Sequence, residues 1–289
     1  MTRILITGTH SFIGSTFTQH LSAWPDRYSL SAISLRNDAW QSEDFSNFDS
    51  VFHVAGIAHD STKHSDKEAY YRVNTQLAFD TARKAKTDGV RQFIFMSSSI
   101  VYGKSAPIGQ TKLITRDTPV NPEGYYGDSK VQAEKLLATL EDDSFRVCIL
   151  RCPMIFGRGC KGNYPLLAKL AKTLPFFPKV KNCRSMLYAE NLAEFVRLMI
   201  KNKERGIFWP QNAEYSNTSE LVKMIAEVHG RRIKLIPHCE LPLRGLAHVT
   251  GLVNKAFGSL AYDMRLSEYT EKYRLYSLRE SIAITEGFR

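Results

Sequence analysis

Apolar residues in the first half of the chain form short runs that alternate with longer amphipathic segments. The runs have the length of strands, and the longer segments repeat their apolar positions with the period of a helix. Strands separated by helices require right-handed crossovers, so the pattern predicts an α/β fold with a doubly wound, mostly parallel sheet. The predicted strands are Arg3–Thr7, Tyr28–Leu35, Ser50–Ala55, Gln92–Ser97 and Arg146–Leu150, and the predicted helices are Phe12–Ala23, Asp66–Lys86 and Tyr125–Leu140.

The alternation weakens after Gly157. Ser277 and Glu280 have the spacing of a capping box, which predicts a last helix. The other predicted elements here are helices at Tyr164–Lys172, Asn191–Lys201 and Ser219–Val228, and strands at Ile207–Trp209 and Arg232–Ile236. We expect a larger domain over residues 1–160 and a smaller portion over residues 161–289, with some late segments returning to the main sheet.

The composition is that of a globular protein, with 43% hydrophobic and 24% charged residues among 289. Met1 leads directly into an apolar run, and no stretch approaches the ~20 apolar residues that cross a bilayer, so we expect a cytoplasmic protein without membrane insertion. The five cysteines contain no C-x-x-C pair, so neither disulfides nor a metal site is predicted. The net charge of +10 is scattered, which fits an anionic substrate better than a nucleic acid.

A glycine-containing turn, TGTHSFIG, lies between the first predicted strand and helix. Such a turn lets backbone N–H groups approach a pyrophosphate, so residues 1–160 are predicted to bind a dinucleotide. Gly8 and Gly14 are present, but Ser11 occupies the middle position of the usual three glycines. Taken alone, the motif also suits an ordinary strand-to-helix turn.

Tyr126 and Lys130 lie four residues apart at the start of a predicted helix, so both side chains project from one face. A nearby ammonium favours phenolate, and we therefore expect the pKa of Tyr126 to be lowered. The strand before this helix ends in three serines, Ser97 to Ser99. Ligands bind beyond the carboxyl ends of parallel strands, so a serine hydroxyl there is predicted to reach the same substrate oxygen as Tyr126.

With these motifs in this order, the chain resembles the extended short-chain dehydrogenase/reductase family, the NAD(P)-dependent sugar-nucleotide epimerases, dehydratases and reductases. The segments that carry the resemblance are TGTHSFIG, VFHVAGIAH, YYRVN, FIFMSSSIVYG, YYGDSK, LRCPMIFG and RSMLYAENL. The resemblance implies that Ser98, Tyr126 and Lys130 are catalytic.

The resemblance also implies binding residues. The implied cofactor contacts are Thr7, Gly8, Ser11, Phe12, Ile13, Gly14, Arg36, Ala55, Gly56, Asn74, Tyr126, Lys130 and Pro153. The implied substrate contacts are His59, Ser98, Ser99, Asn163 and Arg184, with Arg184 meeting a nucleotide diphosphate.

Two departures from the family pattern bear on the reaction. Dehydratases place Asp and Glu directly after the catalytic hydroxyl, whereas Ser99 and Ile100 stand here, so dehydration is not expected. NAD-dependent members end their second strand in an acid, whereas Arg36 follows that strand here and suits a 2′-phosphate. We therefore expect NADP(H), with NAD(H) left open because Asp38 follows closely.

Within the family, the chain is most similar to capsule and O-antigen reductases. That similarity implies NADPH-dependent reduction of the 4-keto group of a UDP-4-keto-6-deoxy-N-acetylhexosamine, with a UDP-sugar as substrate. The alternatives are an NAD-dependent UDP-hexose 4-epimerase and a non-catalytic NADP-binding regulator. The resemblance further implies a homodimer through the predicted helices Asp66–Lys86 and Tyr125–Leu140.

Overall fold

The computed structural model describes residues 1–8, 10–58, 67–249 and 251–288, which form two compact units. The first unit comprises Met1–Gly103, Pro119–Cys152 and Leu192–Pro210, and the second comprises Lys104–Thr118, Pro153–Asn191 and Gln211–Arg289. A segment from the later part of the chain thus belongs to the first unit. No helix within the described ranges is long and apolar enough to cross a membrane.

Strands are numbered in chain order as β1 (Thr2–Thr7), β2 (Tyr28–Ile33), β3 (Ser50–His53), β4 (Gln92–Ser98), β5 (Leu113–Ile114), β6 (Arg146–Cys152), β7 (Met154–Phe156), β8 (Phe176–Pro178), β9 (Met186–Tyr188), β10 (Gly206–Phe208), β11 (Lys234–Ile236) and β12 (Ala261–Tyr262). Helices are α1 (Phe12–Leu21), α2 (Lys67–Tyr70), α3 (Leu77–Thr87), α4 (Gly124–Ala138), α5 (Asn163–Thr173), α6 (Ala189–Lys201), α7 (Thr218–Val228), α8 (Glu240–Val249), α9 (Gly251–Phe257) and α10 (Leu278–Thr285). Short 3-10 helices occupy Asp38–Ser42, Ser99–Tyr102 and Met264–Ser267.

The first unit is built on a six-stranded sheet in the order β2-β1-β3-β4-β6-β10, with every neighbouring pair parallel. This confirms the predicted doubly wound α/β fold. The central strands are apolar because both faces of the sheet are covered; Val51, Phe93 and Phe95 have no exposed surface. From β1 the chain goes to β2 on one side and returns to β3 on the other. The carboxyl ends of β1 and β3 therefore flank the switch point where such sheets bind ligands.

Several element ends differ from their predicted positions because hydrogen-bonding partners decide them. β4 and β6 run on to Ser98 and Cys152, which pair with each other at the end of their ladder. β2 and β3 instead stop two residues short of their predicted ends. The predicted helix Asp66–Lys86 contains a π-helical turn, Tyr71–Gln76, between α2 and α3, and Asp66 lies outside the described residues.

The second unit has small parallel strand pairs, β5 with β12, β7 with β9 and β8 with β11. Helices α5, α7 and α10 supply buried side chains such as Leu167, Ile225 and Ile282 to its core. The predicted capping box is present, because the Ser277 side chain accepts from the Glu280 N–H and the Glu280 carboxylate accepts from the Ser277 N–H. Helices α8 and α9 were not predicted from the sequence.

Candidate active site

The glycine-containing turn connects β1 to α1 in a conformation that only small residues allow. Gly8 has φ +93°, and a Cβ there would lie 3.3 Å from the Ala55 nitrogen. Ser11, which replaces the middle glycine of the usual motif, caps α1 by accepting a 3.0 Å hydrogen bond from the Gly14 N–H. The N–H groups of Phe12 and Ile13 have no acceptor among the described residues. As far as the described residues go, both N–H groups are open to an anion at the positive end of the helix.

The segment after β3 is held in place by Asn74, from the π-helical turn. The buried Asn74 side chain accepts from the Ile57 N–H at 2.8 Å and donates to the Ile57 carbonyl at 3.0 Å. A Cβ on Gly56 would lie 3.1 Å from Asn74 Oδ1 and 3.5 Å from Lys130 Nζ. These two hydrogen bonds therefore hold Gly56 beside Lys130. π-Helical turns of this kind occur frequently at functional sites.

Ser98 and Tyr126 meet through their hydroxyl groups. Ser98 ends β4 and caps the 3-10 helix Ser99–Tyr102, with its Oγ accepting from the Ile100 N–H. It also hydrogen-bonds to Tyr126, which lies partly buried in the first turn of α4. The structure thus brings together two of the three predicted catalytic side chains, whereas Ser99 begins the 3-10 helix beside them.

Lys130 is buried one helical turn after Tyr126. Its Nζ donates to the Met96 carbonyl at 2.8 Å and lies 4.6 Å from the centre of the Phe95 ring. An ammonium has three N–H donors, and the described residues supply only this one acceptor. With respect to the described residues, two donors are therefore open to the hydroxyl groups of a ligand.

Burial dominates the protonation of both side chains. It raises the pKa of Tyr126 to about 12, although the hydrogen bond from Ser98 acts in the opposite direction. The expectation that Lys130 lowers the pKa of Tyr126 is therefore wrong for the ligand-free protein, because the desolvation of the phenolate is the larger effect. Burial also lowers the pKa of Lys130 to about 8, against the attraction of the Glu134 carboxylate.

Thr7 and His53 lie at the carboxyl ends of neighbouring strands. The Thr7 hydroxyl and His53 Nδ1 are 3.0 Å apart, and both residues are fully buried. Burial and the charge of Lys130 lower the pKa of His53 to about 3, so its imidazole is neutral. The Thr7 hydroxyl is thus engaged inside the sheet, and the cofactor contact predicted for Thr7 stays a prediction.

The end of β2 carries no carboxylate. The strand stops at Ile33 and is followed by Ser34, Leu35 and Arg36, whose backbone N–H is bound by Ser34 Oγ. The Arg36 side chain is exposed, and among the described residues nothing accepts from its guanidinium. Asp38 begins the 3-10 helix Asp38–Ser42, five residues beyond the end of the strand.

The remaining predicted residues belong to the second unit or lie outside the described residues. Pro153 directly follows β6, and Asn163 is the exposed first residue of α5. One Nη of Arg184 donates to the carbonyls of Lys255 and Ala256, and burial lowers the pKa of this guanidinium. His59 lies outside the described residues.

Sequence reasoning missed a buried ionic network in the first unit. Glu134 follows Lys130 by four residues and pairs with Arg151 of β6, and it also accepts from Ser97. The signal was an acidic residue on the Tyr126 and Lys130 face of α4, together with an arginine inside an apolar strand. Across the described part of the chain, no group of three metal-ligating side chains occurs.

These residues suit a nicotinamide dinucleotide. Gly8 and Gly56 leave space where a Cβ would intrude, and the N–H groups at the start of α1 suit a pyrophosphate. The free donors of Lys130 suit ribose hydroxyls. A bound dinucleotide would supply the hydride or the hydride acceptor, and the protein side chains would supply the proton.

Comparison with known proteins agrees with this assignment. Residues 4–208 match the model of the NAD dependent epimerase/dehydratase family. The chain belongs to this family. The UDP-glucose 4-epimerase of Vibrio cholerae is 31% identical over 249 residues, which cover 77% of this chain and 74% of that protein.

Two further similarities extend the comparison. An N-acetyl-alpha-D-glucosaminyl-diphospho-ditrans,octacis-undecaprenol 4-epimerase of Escherichia coli O157:H7 is 30% identical over 240 residues, covering 80% of this chain and 66% of that protein. A dTDP-4-dehydrorhamnose reductase from Clostridium acetobutylicum has the same fold, with a TM-score of 0.73 at 18% identity, covering 98% of this chain and 97% of that one.

Family membership confirms the resemblance stated from the sequence motifs. The chain is an enzyme of the NAD(P)-dependent sugar-nucleotide epimerase/reductase family, and its cofactor is a nicotinamide dinucleotide.

Proposed function

We propose that this enzyme reduces the 4-keto group of a UDP-4-keto-6-deoxy-N-acetylhexosamine with NADPH. The end of β2 is the observation that carries the proposal. A carboxylate at this position binds the ribose hydroxyls of NAD and repels a 2′-phosphate. Here the strand is followed by Ser34 and by Arg36, whose guanidinium is exposed and has no acceptor among the described residues. An enzyme that consumes reducing equivalents gains from selecting NADPH.

The protonation state of Tyr126 also suits reduction of a carbonyl group. Burial holds the Tyr126 hydroxyl in its protonated form, so at neutral pH it is ready to donate a proton to a carbonyl oxygen. The single O–H of Ser98, which bonds to that hydroxyl in the ligand-free protein, would turn to the same carbonyl oxygen when a substrate is bound. Lys130 would hold the ribose through its free N–H groups. The nucleotide contacts assigned to Asn163 and Arg184 remain predictions.

A 4-epimerase is the second candidate, and it is favoured by the names of the two relatives near 30% identity. An epimerase returns the hydride to its own substrate, so it needs a tightly held NAD and no external reductant. Neither candidate includes dehydration, for which Ser99 and Ile100 provide no acid and base.

The test combines cofactor preference with product stoichiometry. Purified enzyme should carry little bound NAD, bind NADPH at least several-fold more tightly than NADH, and lose this preference in Arg36→Ala. Arg91→Ala, a change just before the amino end of β4, is the matched control and should keep it. With the keto sugar, NADPH should be consumed in an amount equal to product.

Two contrary results would replace the proposal. Tightly bound NAD with interconversion of UDP-glucose-type and UDP-galactose-type sugars would establish the epimerase. NADPH binding without turnover of either substrate class would favour the non-catalytic regulator.

We further propose a homodimer through the α2 to α3 segment and α4, which pack against each other in one protomer. Sedimentation should give twice the mass of the 32.8 kDa chain at micromolar concentration. A monomer under those conditions would contradict the dimer and leave the proposed reaction unaffected.

A further inference from the structure

Three consecutive residues of β4 each bind one of three α4 residues that are spaced one helical turn apart. The Met96 carbonyl accepts from Lys130, the Ser97 hydroxyl donates to Glu134, and the Ser98 hydroxyl bonds to Tyr126. Residues i, i+4 and i+8 share one face of a helix. The axial position of α4 along β4 is therefore set by three contacts, two of which involve predicted catalytic residues.

Of the three α4 residues, Glu134 is also held by an ion pair with Arg151 of β6. Arg151 Nη2 lies 2.6 Å from Glu134 Oε2 and its Nε lies 3.2 Å from both carboxylate oxygens, while the side chains are only 7% and 9% exposed. Arg151 also donates to the Tyr102 hydroxyl at 2.8 Å, and Trp209 donates to the same hydroxyl at 2.7 Å. Tyr102 ends the 3-10 helix that Ser98 caps. The network thus binds α4, which carries Tyr126, and the 3-10 helix that Ser98 caps, so it fixes the elements on either side of the Ser98 to Tyr126 hydrogen bond.

The charge of Glu134 also acts on Lys130. Burial opposes the ammonium form of Lys130, and the Glu134 carboxylate favours it. Among the residues that the structure describes, the other ionisable groups that act on Lys130 or respond to it are His53 on β3, which is neutral, and Cys152 on β6, whose pKa burial raises. These two groups carry no charge near neutral pH. Glu134 is therefore the compensating charge that this environment provides.

We propose that Glu134, held by Arg151 and Ser97, is a positioning residue that keeps Lys130 in its ammonium form and fixes α4 against β4. A buried ion pair by itself contributes little net stability, because desolvation offsets the attraction between the charges. A role in preparing the site explains why the carboxylate of this pair lies one helical turn after Lys130 on α4. The inference rests on the proposed function for its catalytic readout, but its binding readout requires only the cofactor.

The experiment compares two buried carboxylate–arginine pairs in the same unit. Glu194 pairs with Arg197 through both oxygens, at side-chain exposures of 8% and 12%, and contacts His20 rather than Lys130. Glu134→Gln and Glu194→Gln each remove one carboxylate charge and leave an arginine buried. The readouts are thermal midpoint, NADPH affinity from pH 7 to 10 and, with the keto sugar, kcat over the same range.

In the wild type, NADPH affinity should fall as pH rises through about 8, because Lys130 then loses its charge and one of the two N–H donors left for the ribose. We expect Glu134→Gln to move this fall about one pH unit lower, the shift typical of losing one close opposite charge. kcat at pH 8 should then drop about fivefold, because the ammonium fraction of Lys130 falls from about one half to about one tenth. Glu194→Gln should lower the thermal midpoint to a similar extent and keep the wild-type pH profile.

An unchanged pH profile in folded Glu134→Gln, or an equal shift in Glu194→Gln, overturns the proposal. If Glu134→Gln does not fold, Glu134→Gln combined with Arg151→Met removes both charges and should give a smaller shift in the same direction; no shift is again contrary. Wild-type enzyme that binds NADPH with this titration and reduces no keto sugar would contradict the proposed function and leave this inference standing.

Discussion

Lys130 should destabilise the ligand-free protein at neutral pH, so Lys130→Met is expected to be more stable and inactive. The ammonium is fully buried and has one described hydrogen-bond acceptor, the Met96 carbonyl. Methionine has a similar length and no charge, so it fills the same space without the desolvation penalty. Activity should be lost because the ribose donor and the cation near Tyr126 are both removed.

The magnitude follows from the pKa of Lys130, which burial lowers from 10.5 to about 8. That fall corresponds to about 3 kcal/mol of folding free energy for the protonated form. Losing the hydrogen bond to Met96 costs about 1–2 kcal/mol. The net gain for Lys130→Met at pH 7 is therefore about 1–2 kcal/mol.

The gain should depend on pH with a definite sign. Below pH 8 Lys130 is protonated in both the folded and the unfolded protein, so the burial penalty is fully present. Between about pH 8 and 10.5 the folded protein releases the proton while the unfolded chain keeps it, so the wild type becomes more stable relative to the variant. The difference in unfolding free energy should therefore shrink and reverse sign as pH rises through this window.

Urea unfolding of both proteins without cofactor, at pH 7, 8.5 and 10, measures this difference. Lys84→Met is the control, since Lys84 is half-buried and pairs with Asp88 at 2.8 Å. This variant should be less stable than wild type at every pH. If Lys130→Met is destabilised at pH 7 as much as Lys84→Met, with no reversal, the assignment of a buried and penalised ammonium is refuted.

The remaining predictions concern the reacting hydroxyls and one helix cap. Tyr126→Phe should lower turnover by about two orders of magnitude or more in steady-state assays while NADPH affinity in a fluorescence titration stays near wild type, because only the proton donor is lost. Ser98→Ala should reduce kcat more than Ser99→Ala does, and the reverse order would show that the wrong serine has been assigned. Ser277→Ala removes the cap that bonds Glu280 and should lower the unfolding free energy measured in urea by about 1 kcal/mol without changing kinetics.

The pattern of the sequence was sufficient to predict the sheet, and the order of the motifs led to a prediction of where the site lies. Apolar runs separated by helix-length segments leave a parallel sheet as the arrangement that buries them, and each predicted strand from Arg3 to Leu150 is found in it. Turns after parallel strands meet at one edge, so Gly8, Ser98 and Tyr126 could be assigned to one region from their order alone. The capping box at Ser277 is a local interaction, and local spacing was enough to predict it.

The short elements of the second unit could not be predicted in the same way. Strands such as β5, β7 and β12 have two or three residues, too few to show a period, and each forms only because a partner distant in sequence is adjacent. For the same reason, β4 and β6 extend beyond their predicted ends, because Ser98 and Cys152 pair with each other across the two strands. Their extension depends on a neighbour that spacing along the chain does not reveal.

The sequence by itself determined which residue types are available for chemistry and their order along strands and helices. The tertiary structure decided the burial of those residues, their pKa values and their interaction partners. Tyr126 and Lys130 have shifted pKa values because packing removes water from both, and Glu134 meets Arg151 because β6 lies beside β4. Desolvation and pairing depend on which surfaces meet in space, and spacing along a chain encodes this only through the complete fold.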